Sequence, residues 1–130
     1  MKSVAETSTH HTSVCTGSLV LGAAGLLDGL DATTHWSEAE TLESLGARYV
    51  PERYVDHGKI ITAAGVSAGI DMALHLVGRL LGPDMAKAIQ LGIEYDPQPP
   101  FDAGCVAKAG PELTALVSAA MQGASEETAP

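Results

Sequence analysis

Cys15 is the residue whose position in the sequence points most directly to chemistry. It follows the short β-prone pair Ser13 and Val14 and precedes Thr16 and Gly17, which open an apolar helical run. A sharp strand-to-helix turn exposes its central side chain at the carboxyl edge of a sheet, where open α/β folds bind ligands. Unpaired amides at a helix start favour a nearby thiolate. The same amides, chiefly that of Thr16, can stabilise an anion on a substrate, and Gly17 allows a ligand close to the backbone.

The sequence pattern leaves a structural interpretation of Cys15 open. Free cysteine is among the most buried residue types, so Cys15 also fits a side chain that fills the end of a strand. The second cysteine, Cys105, follows Asp102-Ala103-Gly104 in a loop. We expect Cys105 to be an incidental thiol rather than a resolving partner.

Histidines supply the other candidates for chemistry. His35 lies near the end of a predicted strand over 32–36, on the same sheet edge as Cys15, where it can orient or deprotonate the thiol. The alternative is a strand-end histidine that bonds a backbone carbonyl. His10 and His11 are neighbours, and adjacent side chains on an extended chain point in opposite directions. We therefore expect no metal site.

Composition and charge exclude several classes of protein. The chain has 130 residues, 7 Lys+Arg and 16 Asp+Glu, so its formal net charge is −9. An acidic surface repels phosphate backbones, so we expect no nucleic-acid partner. No apolar run approaches about 20 residues without a polar break, and residues 1–12 lack a signal-peptide hydrophobic region. These features predict a cytoplasmic protein with no membrane partner.

Strands and helices that can position these residues alternate along the chain. The sequence predicts strands at 13–15, 32–36 and 59–63, and helices at 19–27, 68–81 and 111–121. Such alternation is typical of an α/β sandwich with a mostly parallel sheet.

Four blocks of the sequence resemble the ThiJ/PfpI family of the class I glutamine amidotransferase-like superfamily. TSVCTGSLVL at 12–21 is similar to the family's nucleophile elbow. ATTHW at 32–36, KIITAAGVSAGID at 59–71 and QLGIEYDPQPPF at 90–101 follow in the family's order and spacing. The resemblance extends over about residues 12–110 and implies the family's fold, a flavodoxin-like three-layer α/β sandwich that is usually dimeric.

The elbow and the EYDPQPPF block most resemble the isonitrile (isocyanide) hydratase branch of the family. The resemblance implies that Cys15 attacks the terminal carbon of an isonitrile, and that water hydrolyses the resulting thioimidate to an N-substituted formamide. Thr16 would help to position the substrate or water. His35 matches a histidine that several family members place close to the nucleophile. We expect no cofactor.

The resemblance covers only the C-terminal portion of the family domain. The hydratase branch also uses a carboxylate from an early strand, whereas Glu6 is the sole acidic residue before Cys15 and no family pattern surrounds it. We therefore expect the N-terminal strands of the sheet to be missing and the enzyme to be impaired. The expected organisation is a disordered leader over 1–11, a partial domain over 12–121 and a tail over 122–130.

Two other functions fit the same resemblance. The blocks equally resemble sensor domains of AraC-type transcription regulators, so the alternative to an enzyme is a non-catalytic ligand-sensing or oligomerisation module. A truncated product without stable function is the third interpretation. For the first two, we expect a small-molecule partner, together with a homodimer or a second chain that completes the sheet.

Overall fold

Helices and strands alternate in the computed structural model, which describes residues 1–128. The chain divides into two units, Met1–Tyr95 and Asp96–Pro130. The first unit contains α1 (Lys2–Thr7), β1 (His11–Val14), α2 (Gly17–Ala23), β2 (Asp31–Ala32), a 3-10 turn (Trp36–Glu38), α3 (Ala39–Ser44), β3 (Arg48–Tyr49), β4 (Tyr54–Asp56), β5 (Ile60–Ala63), α4 (Ala68–Leu81) and α5 (Pro83–Gly92). The second contains α6 (Val106–Thr128).

Two small sheets organise the first unit. One has the strand order β1-β5-β4, and the other pairs β2 with β3. β1 runs parallel to β5, with His11 opposite Ile60 and Val14 opposite Ala63, whereas β4 runs antiparallel to β5. β2 and β3 are also parallel. Two of these three strand pairs are parallel, including the pair that leads into the predicted elbow, as the alternation of strands and helices predicts.

Strand β5 is the buried centre of its sheet. Ile61 and Ala63 are fully buried and pack with Met72 of α4. The side chain of Ile60 lies on the opposite face and packs against a separate group of buried side chains that includes Leu42. Apolar side chains on both faces of a strand are typical of a parallel sheet covered on both sides. The strand predicted over 59–63 is therefore confirmed from Ile60 to Ala63. Its carboxyl end lies beside the turn that follows β1.

A second cluster of buried side chains holds the segments around the elbow together. It contains Leu21 of α2, Leu27, Ala32 of β2, Leu42 of α3 and Ala47. Each fully buried leucine contributes about 1.5–3 kcal/mol relative to an exposed one. This cluster fixes α2 directly after the predicted elbow.

Helix α4 has the bounds that the sequence predicts, 68–81. Gly82 follows its last residue, with a φ of 92° that glycine adopts readily, and Pro83 begins α5. Near its start, a Cβ added to Gly69 would lie 2.9 Å from Cγ1 of Val14. The absence of a side chain at Gly69 thus lets α4 approach β1 closely.

The first eleven residues differ from the expected disordered leader. Lys2–Thr7 form a helix in which Ala5 is buried. Lys59 Nζ donates to the Ala5 carbonyl at 2.6 Å, and Nε2 of the buried His11 lies 3.2 Å from the same oxygen. Hydrogen bonds to residues outside this helix stabilise residues 2–7. Such bonds leave no periodic pattern in the sequence. His11 itself belongs to β1, so the strand begins earlier than predicted.

The second unit has little burial of its own. α6 bends at Gly110, whose φ is 81°, and Pro111 starts its longer part. No described residue from 96 to 127 is buried. Of the predicted tail, 122–128 continue α6, and 129–130 lie outside the described residues. Within residues 1–128, no helix has the length and apolar character required to span a membrane.

Candidate active site

Cys15 occupies a backbone conformation that is rare for a residue with a side chain. Its φ is 59°, in the left-handed region, which costs roughly 1–2 kcal/mol for an L-residue. Its amide donates to the carbonyls of Ala64, at 2.7 Å, and Ala63, at 3.2 Å. β1 ends at Val14, so Cys15 is bonded to the carboxyl end of β5 while the chain turns away from the sheet. This geometry is that of a strand-to-helix elbow.

Two hydroxyl groups hold the carbonyl of Cys15. Ser18 Oγ donates to this oxygen at 3.2 Å, and Thr34 Oγ1 donates to it at 3.0 Å. Both donors are fully buried. Amide and carbonyl of Cys15 are therefore both bonded, and the thiol-bearing residue is fixed from two sides while its side chain remains half-buried rather than enclosed.

Thr16 and Gly17 form the start of helix α2. Thr16 is the N-terminal capping residue, with φ −69° and ψ −5°, and its side chain makes no capping hydrogen bond. An added Cβ at Gly17 would meet Ser13 Cβ at 3.6 Å, which is ordinary contact. Space inside the protein therefore does not require glycine at position 17. Close approach of a ligand to these two residues stays a prediction.

His35 is not at a strand end, contrary to the expected strand over 32–36. β2 ends at Ala32 because Thr33 next bonds side-chain and loop groups: its amide donates to Thr62 Oγ1 at 2.9 Å, and its hydroxyl donates to the Glu52 carbonyl at 3.2 Å. His35 instead caps the 3-10 turn that starts at Trp36. Thr33 and Thr34 therefore form hydrogen bonds that involve side chains, rather than the backbone hydrogen bonds of a β-ladder.

The ring of His35 nevertheless lies beside the segment that holds Cys15. His35 Cδ2 would be 3.7 Å from a Cβ added to Gly65, and Gly65 follows Ala64, whose carbonyl binds the Cys15 amide. The Ser37 amide donates to His35 Nδ1 at 3.3 Å, and Ser37 Oγ lies 2.8 Å from the same nitrogen. Because Nδ1 accepts from an amide, the neutral ring carries its proton on Nε2.

Three groups at the elbow escape detection from the sequence. The Ala64 carbonyl is a backbone atom, for which the sequence offers no signal. Thr34 fits a β-branched strand residue, and Ser18 fits the first turn of a helix. Both residues are identified by the hydrogen bonds that they donate to the Cys15 carbonyl, and these bonds are visible only in the folded structure.

A separate polar cluster links β4 to α4. Asp56 accepts from His75 Nε2 at 2.7 Å and from Arg79 Nη1 at 2.8 Å, and the ring centroids of Tyr54 and His75 lie 4.8 Å apart with the rings tilted by 32°. Desolvation alone would raise the pKa of Asp56. Hydrogen bonds from His75 and the Gly58 amide, with the charge of Arg79, outweigh it and hold this pKa below the ordinary 3.8. The cluster braces the sheet edge opposite β1.

Asp71 at the start of α4 has a structural role in which it accepts two hydrogen bonds. Arg53 Nε and Tyr95 Oη both donate to its carboxylate, the latter at 2.6 Å. The bond to Asp71 is the main cause that raises the pKa of Tyr95 above 10.0. Asp71 thereby ties the segment before β4 and the end of α5 to the start of α4.

Two open hollows of the first unit lie beside α4. One, of about 430 Å³, is apolar, and its lining runs from Val14 to Ile93. The other, of about 620 Å³, is lined by the polar residues around Asp71 and His75. Neither is lined by Cys15, Thr16 or His35. Among residues 1–128, no group of three or more His, Cys, Asp or Glu side chains is placed to hold a metal ion.

Comparison with known proteins identifies relatives of both predicted kinds. The profile of the DJ-1/PfpI family matches residues 1–79. The isonitrile hydratase of Pseudomonas putida is 53% identical over 104 residues, which are 80% of this chain and 46% of that enzyme. The HTH-type transcriptional regulator GbdR of Pseudomonas aeruginosa is 38% identical over 87 residues, covering 65% of this chain and 23% of the regulator.

A solved structure extends the likeness to three dimensions. The crystal structure of a ThiJ/PfpI family protein from Pseudomonas syringae superimposes with a TM-score of 0.80 at 44% identity. It covers 95% of this chain, and the chain covers 49% of it. The predicted family and the α/β flavodoxin-like fold class are thus confirmed, and the chain spans about half the length of these two ThiJ/PfpI relatives.

Proposed function

The chain belongs to the DJ-1/PfpI family, and we propose that it supplies the cysteine nucleophile for hydration of an isonitrile to an N-substituted formamide. One observation carries the proposal: the residue that the sequence marks as the nucleophile has a φ of 59° at the carboxyl end of a parallel strand. The identity of 53% with an isonitrile hydratase supports the choice of substrate class.

The proposed reaction uses Cys15 in two steps. The sulfur attacks the terminal carbon of R–N≡C, an S–C bond forms, and the thiol proton is transferred to that carbon, which gives the thioimidate R–N=CH–S–Cys15. Water then adds to the same carbon, the C–S bond breaks and the thiol is regenerated, which releases R–NH–CHO. The Thr16 amide and hydroxyl are adjacent to the sulfur in sequence, and we assign them the positioning of substrate or water.

His35 acts in this proposal as an orienting donor rather than as a base. Its Nδ1 already accepts from the Ser37 amide, so the neutral ring has a donor at Nε2 and no free lone pair for a thiol proton. A donor beside the elbow stabilises the thiolate without itself accepting the thiol proton. Gly17 completes the proposed binding surface.

Formamide production by matched cysteine variants tests the proposal. The 130-residue chain, Cys15→Ser and Cys105→Ser are each incubated with a small alkyl isonitrile, and N-alkylformamide is quantified by NMR. We expect slow turnover by the wild type and Cys105→Ser, because Glu6 is the sole acidic residue before Cys15 and no carboxylate is assigned to the reaction, and a further loss of at least about 10³-fold in Cys15→Ser. Absence of turnover in the wild type, or equal turnover in Cys15→Ser, would contradict the proposal.

A ligand-sensing module is the second candidate, favoured by the 38% identity with a transcriptional regulator. Calorimetric titration with the same alkyl isonitrile separates the two functions. Saturable binding without formamide supports a module, whereas formamide release supports an enzyme.

We also propose a partner for strand β1. Among the described residues, β1 pairs only with β5, so its other edge offers unpaired backbone groups. A homodimer or a second chain that completes the sheet would cover them, in a cytoplasmic protein. Light scattering coupled to size exclusion tests the homodimer, since a monomeric mass at all concentrations excludes it.

A further inference from the structure

We infer that the hydroxyls of Thr34 and Ser18 are positioning residues that fix the Cys15–Thr16 peptide, and with it both the thiol of Cys15 and the amide of Thr16. The inference rests on the proposed nucleophilic role of Cys15. It concerns two side chains with no other place in the proposed reaction.

The argument starts from the geometry of one peptide group. The carbonyl of Cys15 and the amide of Thr16 belong to the same planar unit. Thr34 Oγ1 and Ser18 Oγ both donate to that carbonyl, at 3.0 and 3.2 Å. Fixing the carbonyl direction therefore fixes the opposite direction of the Thr16 N–H, which is the donor proposed to face the substrate.

The same two bonds also polarise the Thr16 amide. Hydrogen bonds that converge on a carbonyl withdraw electron density from its peptide unit and strengthen the donor at the other end. Their effect is largest away from water, and both Ser18 and Thr34 are fully buried. The Thr16 amide is therefore a better donor, as well as an oriented one, while Thr34 and Ser18 remain paired.

The bonds further stabilise a backbone conformation that is unfavourable by itself. A cysteine at φ 59° persists only where its surroundings determine it. The amide side is held by the carbonyls of Ala63 and Ala64, which are backbone atoms of the β5 end. The Cys15 carbonyl is held by the side chains of Thr34 and Ser18, so mutation can remove these bonds.

Thr33 offers a matched control one residue away. It is as fully buried as Thr34, and its hydroxyl also donates to a carbonyl, at 3.2 Å, but to that of Glu52 rather than Cys15. Thr33→Val and Thr34→Val each remove one buried hydroxyl without changing side-chain volume much. A merely structural role predicts equal effects of the two changes on the chemistry of Cys15.

The experiment measures the second-order rate of Cys15 alkylation by iodoacetamide across pH, in the full chain carrying Cys105→Ser. We expect Thr34→Val to slow alkylation at about neutral pH by about threefold to tenfold, the equivalent of one hydrogen bond, and to shift the pH profile to higher pH. Thr33→Val should leave the rate within about twofold, and Thr34→Ser, which keeps the hydroxyl, should restore it.

Ser18→Ala keeps the inference testable if Thr34→Val does not fold, because it removes the other donor to the same carbonyl and should slow alkylation in the same direction. Equal rates in Thr33→Val and Thr34→Val, or an unchanged rate in folded Ser18→Ala and Thr34→Val, would overturn the inference. Alkylation needs no isonitrile turnover. An enzyme assay that fails while the alkylation pattern holds would therefore reject hydration and leave the positioning role standing.

Discussion

The two cysteines of the chain lie in regions of opposite physical character. Cys15 is half-buried, is bonded through both its amide and its carbonyl, and has a φ of 59° beside a buried strand. Cys105 is exposed in the second unit, where its carbonyl accepts the amides of Lys108 and Ala109 as the first turn of α6 forms. A constrained backbone, and not the thiol itself, therefore distinguishes the candidate nucleophile.

The two units also differ in packing, and alanine substitution of one leucine in each unit tests that difference. Leu42 is fully buried in the cluster around the elbow, whereas Leu116 of α6 is 67% exposed. We expect Leu42→Ala to lower the free energy of unfolding by about 2–5 kcal/mol, and Leu116→Ala to change it by less than about 0.5 kcal/mol. Urea denaturation followed by circular dichroism measures both, and similar losses in the two variants would remove the contrast.

Alanine substitution of two glycines, one packed against β1 and one in α6, tests the same difference in packing. A Cβ at Gly69 would approach both Cγ atoms of Val14 to 2.9 and 3.0 Å, whereas a Cβ at Gly123 of α6 would meet nothing within 4 Å. Valine is stiff about χ1, so Gly69→Ala should cost about 1–3 kcal/mol of unfolding free energy. Gly123→Ala should stabilise the helix by up to about 1 kcal/mol. The same denaturation measurement applies, and a neutral Gly69→Ala would show that α4 and β1 are not closely packed.

The ion pairs of the two regions should differ in a smaller, pH-dependent way. The pKa of Asp56 is lowered in the folded protein, so its stabilisation is present above the unfolded value near 3.8 and is lost as the pH falls through the folded pKa. We expect Asp56→Asn to lower the melting temperature at about pH 7, and the gap from wild type to close below about pH 3.8.

Lys108 provides the control for this ion-pair comparison. It pairs with Asp102 at 2.6 Å, but the two side chains are 56% and 80% exposed. Exposed pairs contribute little to stability, so Lys108→Gln should leave the melting temperature unchanged at every pH. A gap for Asp56→Asn that does not vary with pH would contradict the assigned cause.

The sequence predicts the framework of the first unit better than the connections around the site. Helix 68–81 and the strand over 59–63 follow from apolar periodicity and β-branched composition, and both are confirmed. The prediction of a strand over 32–36 is wrong beyond Ala32, because the Thr33 amide and the Thr34 hydroxyl donate hydrogen bonds to groups distant in sequence. Lys2–Thr7 form a helix, which is stabilised by hydrogen bonds from Lys59 and His11 to the Ala5 carbonyl. A local sequence pattern carries no information about such bonds.

At the candidate site, the sequence predicts the position of Cys15 but not what holds it. A strand followed by a helix places the elbow, and the family resemblance assigns the nucleophile. The Ala64 carbonyl binds Cys15 only once β1 lies beside β5, and the Thr34 hydroxyl only once the segment after β2 lies beside the elbow. The Ser18 hydroxyl bonds a carbonyl three residues earlier, but only after the turn at Cys15 has formed.

Competition between the two thiols of one molecule shows whether the elbow activates Cys15. The wild-type chain is treated with limiting iodoacetamide at about pH 6.5, where an ordinary cysteine is mostly protonated, and the alkylated peptides are quantified by mass spectrometry. If the constrained elbow favours the thiolate, half-buried Cys15 reacts faster than exposed Cys105 despite its lower accessibility. If Cys105 reacts faster, or the two rates differ only as accessibility dictates, the elbow does not activate Cys15 and the account is wrong.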